Sequence, residues 1–584
     1  MKLIKNLSKK TKGDLPVKSF REYLIKTCKE EAKHKKSFLD DYVSLWARQS
    51  PLSTAIVESP LSQNEDGSWP EYNKVSWIKF EAMVNLYALR LRLSGIKKGD
   101  VVCGLVPFSK ETIFLQFACF RVGAVFAPLD LRLSDEEILH CLKSSKPKAF
   151  FFLGSTPRKD FAPIVTTAVK NYRDQVGKSL LLVQMQKNEE GLIEGSISMK
   201  KWLLGRPAFN DFNFILDRPK RKTTDTALII FTSGSTGKPK AAKLSHETII
   251  LQTIFQCAAF RSEVKERILV NLPPSHIGGQ GQQLMAGIYK GFTSVVIPVF
   301  DAKASLHAID KHKINIIGQI PAMYNLQWNL PEYGSFDLSS LKYMYYGGQS
   351  VDSLFLDKLS AVAKKNGAKI ITALGMTEAG GAAIITEPTD DVELMKDGYI
   401  GYISPFLSAK VVFDKAIDPE GNAGELLLKG PQVFNGYMDE DANKKSFEGL
   451  HYKTGDIVRS WDEGEEYFYV SRGKFVIKPK GYQIVPNEIE DFFVSKGNKL
   501  NINRAFAVGI KDPVYSEKIV LFVEKSEDKV EIKEEDLIKL AEGLTAYKRP
   551  THYHVVNKGE VPLNRTAKVD YLALQKIGEG LFGE

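Results

Sequence analysis

The sequence predicts an α/β protein: a large N-terminal domain of parallel-rich sheets covered by helices, then a small α+β C-terminal domain. Three observations carry this. Short continuous apolar runs alternate with helically spaced segments from Phe38 to about Asp414, the pattern of parallel strands covered on both faces. After about Trp461 the composition changes, and strand-like and helix-like stretches mix over the remaining chain. The length, 584 residues, exceeds that of one ordinary domain.

The elements follow in order. Residues 1–37 form a basic N-terminal extension with helical character from Ser19 to Lys35, expected to be a solvated helix packed on the body. The large domain is placed at 38–471. Ile78 to Leu93, Lys110 to Arg121 and Ser134 to Ser144 have apolar residues at helical spacing. Between them Val101 to Val106, Ala124 to Leu129 and Ala149 to Leu153 are unbroken apolar runs, as buried strands require. The C-terminal domain is placed at 472–584. Just before it Tyr467 to Val470 is an expected strand, and within it Phe475 to Lys478, Arg504 to Ile510, Ile519 to Glu524 and His552 to Val556 are expected strands. Asn487 to Val494 and Glu534 to Leu544 are expected helices.

The composition excludes several classes. A net charge of +10 is mild for this length and suits an anionic small molecule as well as a polyanion, so no nucleic acid is implied. Cys28, Cys103, Cys119, Cys141 and Cys257 are scattered without a C-x-x-C pair, against a disulfide scaffold or a zinc knuckle. No apolar run reaches the ~18 residues of a membrane span. The first ten residues lack a signal-peptide core, so a cytoplasmic enzyme is expected. His552 and His554 share a strand face with no third ligand suggested, and no metal is expected there.

The chemistry is concentrated after the apolar strand Ala227 to Phe231. It runs into Thr232-Ser233-Gly234-Ser235-Thr236-Gly237-Lys238-Pro239-Lys240, and a helix is expected from Ser245 to Gln256. Glycines let backbone N–H groups approach an anion, hydroxyls donate further, and lysines supply counter-charge. The glycines are too close together for a G-x-x-x-x-G-K-[ST] loop. A plain Gly/Ser turn is the alternative, but it requires neither two lysines nor alternating hydroxyls.

Thr232 to Lys240 resembles the signature loop of the adenylate-forming superfamily, which includes acyl- and aryl-CoA ligases, luciferases and peptide-synthetase adenylation domains. Further motifs resemble that family in its order. They are Gly375-Met376-Thr377-Glu378, Tyr452-Lys453-Thr454-Gly455-Asp456, Arg472 with Lys474, the stretch Lys480 to Glu490, and Pro562 to Asp570. The likeness spans about Phe38 to Leu574 and is greatest to acyl- or aryl-CoA ligases.

The resemblance implies a two-step reaction. A carboxylate attacks the α-phosphate of ATP to give an acyl-adenylate, and a thiol then displaces AMP. Anion meets anion in the first step, so cations and donors are needed where charge builds. By resemblance, Thr232 to Gly237 with Lys240 hold the distal phosphates, Thr377 donates to the α-phosphate, and Glu378 ligates Mg²⁺, a hard cation suited to carboxylate. Asp456 and Arg472 take the ribose. Gly347, Gly348 and Gln349, after the aromatic strand Tyr343 to Tyr346, line adenine and acyl pocket with Leu374, Gly375 and Met376. Lys568 bridges carboxylate and α-phosphate. The small domain is implied to be a mobile cap that turns about Lys474, withdrawing Lys568 and presenting Lys480 and Gly481 to the thiol. His276 is placed near the reacting carboxylate. Read singly, Glu378 could be a surface carboxylate, Asp456 a turn residue, Lys568 an exposed lysine and His276 a structural histidine.

Departures from the family pattern include Leu374 where an aromatic residue is common, Ala241 and Ala567 for glycines, Ser471 for a glycine, and Phe475 for an acidic residue. None removes a charge the chemistry needs. By the resemblance, amino-acid-activating members place an aspartate near the position of Ile277 to grip the α-ammonium, so the apolar Ile277 disfavours an α-amino acid. Gly278, Gly279 and Gly281 are expected to leave room for a bulky acyl group, cyclic or aromatic, with Gln280, Gln282 and Gln283 adding polar contacts. The expected partners are a carboxylic acid and a thiol supplied in trans, either CoA or the phosphopantetheine of a carrier protein. A non-catalytic acyl-AMP-binding relative is the reading from a different class.

Overall fold

The computed structural model describes residues 17–177, 179–186, 189–205, 219–232, 239–349, 351, 353–413, 422–461, 466–477, 484–497, 500–512, 516–527, 531–544, 548–563 and 568–583. Two sheets and two buried helices organise the large part of the chain. The smaller, seven-stranded sheet has the spatial order Ser196–Ser198, Leu181–Gln184, Ala149–Phe152, Val101–Leu105, Val125–Pro128, Thr226–Thr232, Lys240–Ser245. Its neighbours pair in parallel except the last, which is antiparallel. The larger, 14-stranded sheet has a parallel half built from Thr54–Glu58, Thr293–Val296, Arg267–Val270, Ile316–Gln319, Tyr343–Gly347 and Lys369–Met376. Its other half, from Gly381–Ile385 out to Ser408–Phe413, is antiparallel.

Between the sheets lie Lys110–Val122 and His246–Ala259, helices without a polar face. Every residue of the second is buried except Glu247. One apolar cluster joins these helices to the inward faces of both sheets, and the outward faces bury separate clusters. Strand alternation decides which side chain goes where: Tyr345 joins the central cluster, while Met344 and Tyr346 join the outer one.

The helix Val17–His34 docks on this body through Phe20, Leu24 and Cys28, all fully buried. Glu31 anchors it to Lys290 at 2.6 Å and to the Tyr289 hydroxyl. Just beyond, Asp40 is fully buried between Arg221 at 2.7 Å and Arg121 at 3.4 Å.

The last part of the chain builds a three-stranded sheet, Ile502–Asp512, Ser516–Lys525 and His552–Val556, with helices Pro486–Lys496, Glu534–Ala541 and Tyr571–Phe582. Its two faces bury two apolar clusters of their own. The expected strand from Phe475 is not formed. Gly473–Phe475 is a 3-10 turn, and only an isolated bridge from Ile477 to Ile484 follows. The sequence reading also passed over Lys240–Ser245, a strand between the anion loop and the helix that follows it.

Candidate active site

The site forms where the C-terminal ends of the parallel strands meet the chain that follows Arg472. Strand Thr226–Thr232 and strand Lys240–Ser245 are an antiparallel hairpin in which Thr232 faces Lys240. The returning strand is followed by His246–Ala259, capped by Ser245, whose hydroxyl accepts from Thr248 N at 3.0 Å. Ser233, Gly234, Ser235, Thr236 and Gly237 lie outside the described residues, as do Lys480, Gly481 and the side chain of Lys474. The segment Asn435 to Met438 runs along the returning strand: Met438 N donates to Ala241 O at 2.8 Å and Lys243 N to Gly436 O at 3.0 Å.

That pairing delivers a residue which sequence reasoning missed. The Tyr437 hydroxyl donates to Glu378 Oε1 at 2.6 Å and lies 3.4 Å from the Tyr452 hydroxyl. The Tyr437 ring also lies 5.3 Å from Lys240 Nζ, within cation–π range. Burial and the adjacent Glu378 carboxylate push the Tyr437 hydroxyl well above the ordinary tyrosine range, so it remains a donor. Glu378 sits with Thr377 in a buried 3-10 turn that ends the strand Lys369–Met376. The turn is reached through Gly375, where a methyl would lie 3.1 Å from Gly381 O. Leu374 and Met376 are half-buried and pack on the cluster beneath.

On the neighbouring strand pair, Asp456 is 2% exposed and its Oδ1 lies 2.5 Å from Arg472 Nη1. Thr454 sets the approach: its hydroxyl donates to Leu426 O at 2.7 Å and accepts from Asp456 N at 3.0 Å. Gly455 turns the chain at φ +71°, a conformation that side chains disfavour, and donates its N–H to Glu425 Oε1 at 3.1 Å.

Lys568 comes from the C-terminal part of the chain, immediately before Val569, which bridges to Leu563, and three residues ahead of the helix Tyr571–Phe582. A methyl on Gly348 would lie 3.2 Å from both Cε and Nζ of Lys568. Gly348 itself has φ +88°. The two parts of the chain are therefore closed on each other with the lysine at the end of strand Tyr343–Gly347. Desolvation pushes the Lys568 ammonium down to about 8. The Arg472 cation adds to this, and Asp456 opposes it. Next to it, Gln349 Oε1 is buried with no hydrogen-bond partner among the described residues.

His276 is a further titratable group near Lys568, whose charge acts on it. Its Nδ1 accepts from Gly278 N at 3.0 Å, so the neutral ring holds its proton on Nε2. Desolvation first, and the Lys568 charge second, push its pKa down to about 4. Ile277 is buried, and Gly278–Met285 forms a π-helix.

Here the structure corrects two expectations. Gly278, Gly279 and Gly281 do not open a pocket. A methyl on Gly279 would lie 2.5 Å from Pro273 O, one on Gly281 2.8 Å from Gly380 O, and one on Gly278 2.9 Å from His276 Nδ1. These glycines permit close backbone packing instead. Gln280 is fully buried, accepting from Gln116 Nε2 at 2.6 Å and donating to Pro274 O at 3.0 Å, so it is a structural amide and not an acyl contact. Gln283 is likewise occupied by Asn271, Leu272 and Gly318.

The family model described as "AMP-binding enzyme" matches residues 43–438. The chain belongs to that family. Among curated members of similar sequence, the indoleacetate–CoA ligase of Aromatoleum aromaticum is 28% identical over 536 residues, covering 91% of this chain and 96% of its own. The long-chain-fatty-acid–CoA ligase FadD13 of Mycobacterium tuberculosis is 25% identical, over 85% of this chain and 92% of its own. The feruloyl-CoA synthase of an Amycolatopsis species is 27% identical, over 81% and 85%. Among solved structures, the anthranilate CoA ligase AuaEII in complex with anthranoyl-AMP superposes with a TM-score of 0.76 at 19% identity, over 94% of this chain and 98% of its own. ATP-bound MatB from Rhodopseudomonas palustris gives 0.74 at 21%, over 92% and 99%. This AMP-binding enzyme therefore has the fold of those ligases along nearly its whole length. Among the described residues, no helix is long and apolar enough to cross a membrane.

Proposed function

We propose that this AMP-binding enzyme joins a carboxylic acid to CoA in an ATP-dependent, AMP-forming reaction. The observation that carries the proposal is Lys568, a part-buried ammonium from the C-terminal part of the chain, held against Gly348 beside the Asp456–Arg472 pair. Its likeness along nearly the full chain to relatives named as CoA ligases supports the same reading.

The residues present fit a nucleotide and a divalent cation. Gln349 Oε1 is a buried acceptor awaiting a donor, as the adenine amino group provides. The buried carboxylate Asp456 suits ribose hydroxyls. Glu378, with one oxygen fixed by Tyr437, suits Mg²⁺, which would supply Lewis-acid neutralisation of phosphate charge.

In the first step a carboxylate oxygen attacks the α-phosphorus and pyrophosphate leaves. Lys568 offsets charge on the attacking carboxylate and the α-phosphoryl oxygens, and Thr377 donates to the same phosphoryl group. His276, neutral with its proton on Nε2, donates to the carboxylate without adding charge. Closure around Lys568 keeps water from the mixed anhydride. In the second step the thiolate attacks the acyl carbon, the bond to the AMP oxygen breaks, and AMP departs with that oxygen. Between the steps the cap is taken to turn about Lys474, as the resemblance implies, which withdraws Lys568 from Gly348. The setting is taken to be cytoplasmic, which suits five cysteines that are all free thiols.

The test is a panel of carboxylic acids scored for acid-dependent exchange of labelled pyrophosphate into ATP, then for AMP release with CoA. Exchange with some acids and saturable thioester formation with CoA are expected. Failure of every acid in the panel to support nucleotide consumption would refute the ligase reading. Exchange without any CoA response would transfer the second step to a carrier protein.

A further inference from the structure

We infer that Tyr571 is a positioning residue for Lys568: bonded to Glu490 and packed on Phe475, it holds the stretch of chain that carries the lysine, and so sets the rate of acyl-adenylate formation and not that of thioester formation. The inference rests on the ligase reading above and adds to it a residue that acts on one half-reaction.

Lys568 carries its ammonium on a long flexible stem, so the place of the tip depends on how firmly the backbone beneath it is held. The described anchors lie on its C-terminal side. Val569 bridges to Leu563 and packs on the apolar cluster that contains Phe506, Phe522 and Leu574. Asp570 N donates to Pro562 O at 2.9 Å. The Asp570 carboxylate accepts from Ala573 N at 3.1 Å and so caps the helix Tyr571–Phe582. Tyr571 opens that helix, and its side chain ties the start of the helix to the rest of the C-terminal part.

The Tyr571 hydroxyl donates to the Glu490 carboxyl, 3.0 Å from each of its oxygens. Glu490 is buried on the helix Pro486–Lys496 and also accepts from Ala507 N, on the strand Ile502–Asp512, at 2.9 Å. One carboxyl thus joins the segment of Lys568 to a helix and to the sheet. Burial pushes this carboxyl up to about 8; Asp491 adds to the rise, and the bonds from Ala507 and Tyr571 oppose it. At pH 7 the pair is therefore mostly a neutral acid and a phenol. The Tyr571 ring lies 4.9 Å from the Phe475 ring, tilted by 32°, and 6.2 Å from Phe506, nearly perpendicular. Phe475 immediately follows Lys474, and at this departure from the family pattern an apolar ring meets a phenol. A turn of the cap about Lys474 therefore carries Phe475, Tyr571 and Lys568 together. In the thioester step Lys568 is withdrawn, and Glu490 keeps its bond to Ala507 without the phenol. Loss of the hydroxyl accordingly falls on the first step.

The experiment measures the two half-reactions separately in wild type, Tyr571→Phe and Tyr571→Ala, with rates taken per folded enzyme. Pyrophosphate exchange uses the acid of the panel above with the highest wild-type rate. Thioester formation uses the chemically prepared acyl-adenylate of that acid with CoA. Tyr571→Phe keeps the ring against Phe475 and loses the bond, and its exchange kcat is expected to fall about tenfold. Tyr571→Ala is expected to lose about 100-fold, the scale of a catalytic group displaced by about 1 Å. In both variants KM for ATP and for the acid, and the rate of thioester formation from the added acyl-adenylate, are expected to stay within about twofold of wild type. Exchange kcat of Tyr571→Phe within about twofold of wild type overturns the inference, and does so even if Tyr571→Ala fails to fold. Equal losses in both half-reactions, the mark of a merely structural residue, or a loss carried by KM alone, overturn it equally and leave the ligase reading intact. Wild type exchanging with no acid of the panel overturns it together with the ligase reading.

Discussion

The protonation state of Lys568 should set the alkaline side of the enzyme's pH profile. Burial against Gly348, with Arg472 as a neighbouring cation, lowers its pKa from 10.5 to about 8. The charged form is therefore present below that value and lost as pH rises through it. About nine-tenths of the free enzyme carries the cation at pH 7 and about one-tenth at pH 9, so kcat/KM for ATP in acid-dependent pyrophosphate exchange should fall about tenfold per unit above pH 8. His276, held neutral with a pKa of about 4, should add no limb between pH 5.5 and 7. Lys568→Arg retains its charge throughout. Its activity should be lower, because the planar fork does not fit where a methyl on Gly348 already meets the lysine tip, but its alkaline limb should disappear. The assay is initial exchange at subsaturating ATP from pH 6 to pH 10, with a saturating active acid. A flat wild-type profile, or the same limb near pH 8 in Lys568→Arg, would refute the assignment of the limb to this ammonium.

Two further outcomes follow from the packing. Tyr437→Phe removes the hydroxyl that orients Glu378 while keeping the ring beneath Lys240, and should raise the Mg²⁺ concentration for half-maximal exchange roughly tenfold with little change in thermal midpoint. Asp40→Ala leaves Arg121 and Arg221, 4% and 3% exposed, without their shared carboxylate, and should cost about 3–5 kcal/mol in denaturant unfolding.

Much of the architecture is readable in the sequence because the strands of the parallel cores are short, continuous apolar runs and the helices between them have few polar residues. The boundaries of Trp77–Leu93, Lys110–Val122 and Val101–Leu105 lie within a residue of those expected from spacing. The antiparallel half of the large sheet was not legible at its inner edge, because Gly381–Ile385 is buried at every residue just as the parallel strands are. Phe475 to Ile477 looks strand-like by composition, but Gly473 and the turn it permits break the extended run. The motif residues Glu378, Asp456, Arg472 and Lys568 carry recognisable neighbours. Tyr437 does not: it reaches Glu378 only through the pairing of Asn435 to Met438 with the strand Lys240–Ser245. Gly278, Gly279 and Gly281 show the opposite failure. A bare Cα in a sequence does not say whether a ligand or a carbonyl oxygen fills the space, and here carbonyls and a histidine ring do. Gln280 looked like a pocket residue until its amide met Gln116 and Pro274.

The central claim is that a carboxylate oxygen becomes bonded to the α-phosphorus in the cleft closed by Lys568. Oxygen-18 in both carboxylate oxygens of an active acid tests it most directly, with the products of a full reaction with ATP and CoA analysed by mass spectrometry. One labelled oxygen is expected in AMP for each thioester formed, and none in pyrophosphate. Label recovered in inorganic phosphate with ADP as the nucleotide product, or AMP carrying no label, would contradict it.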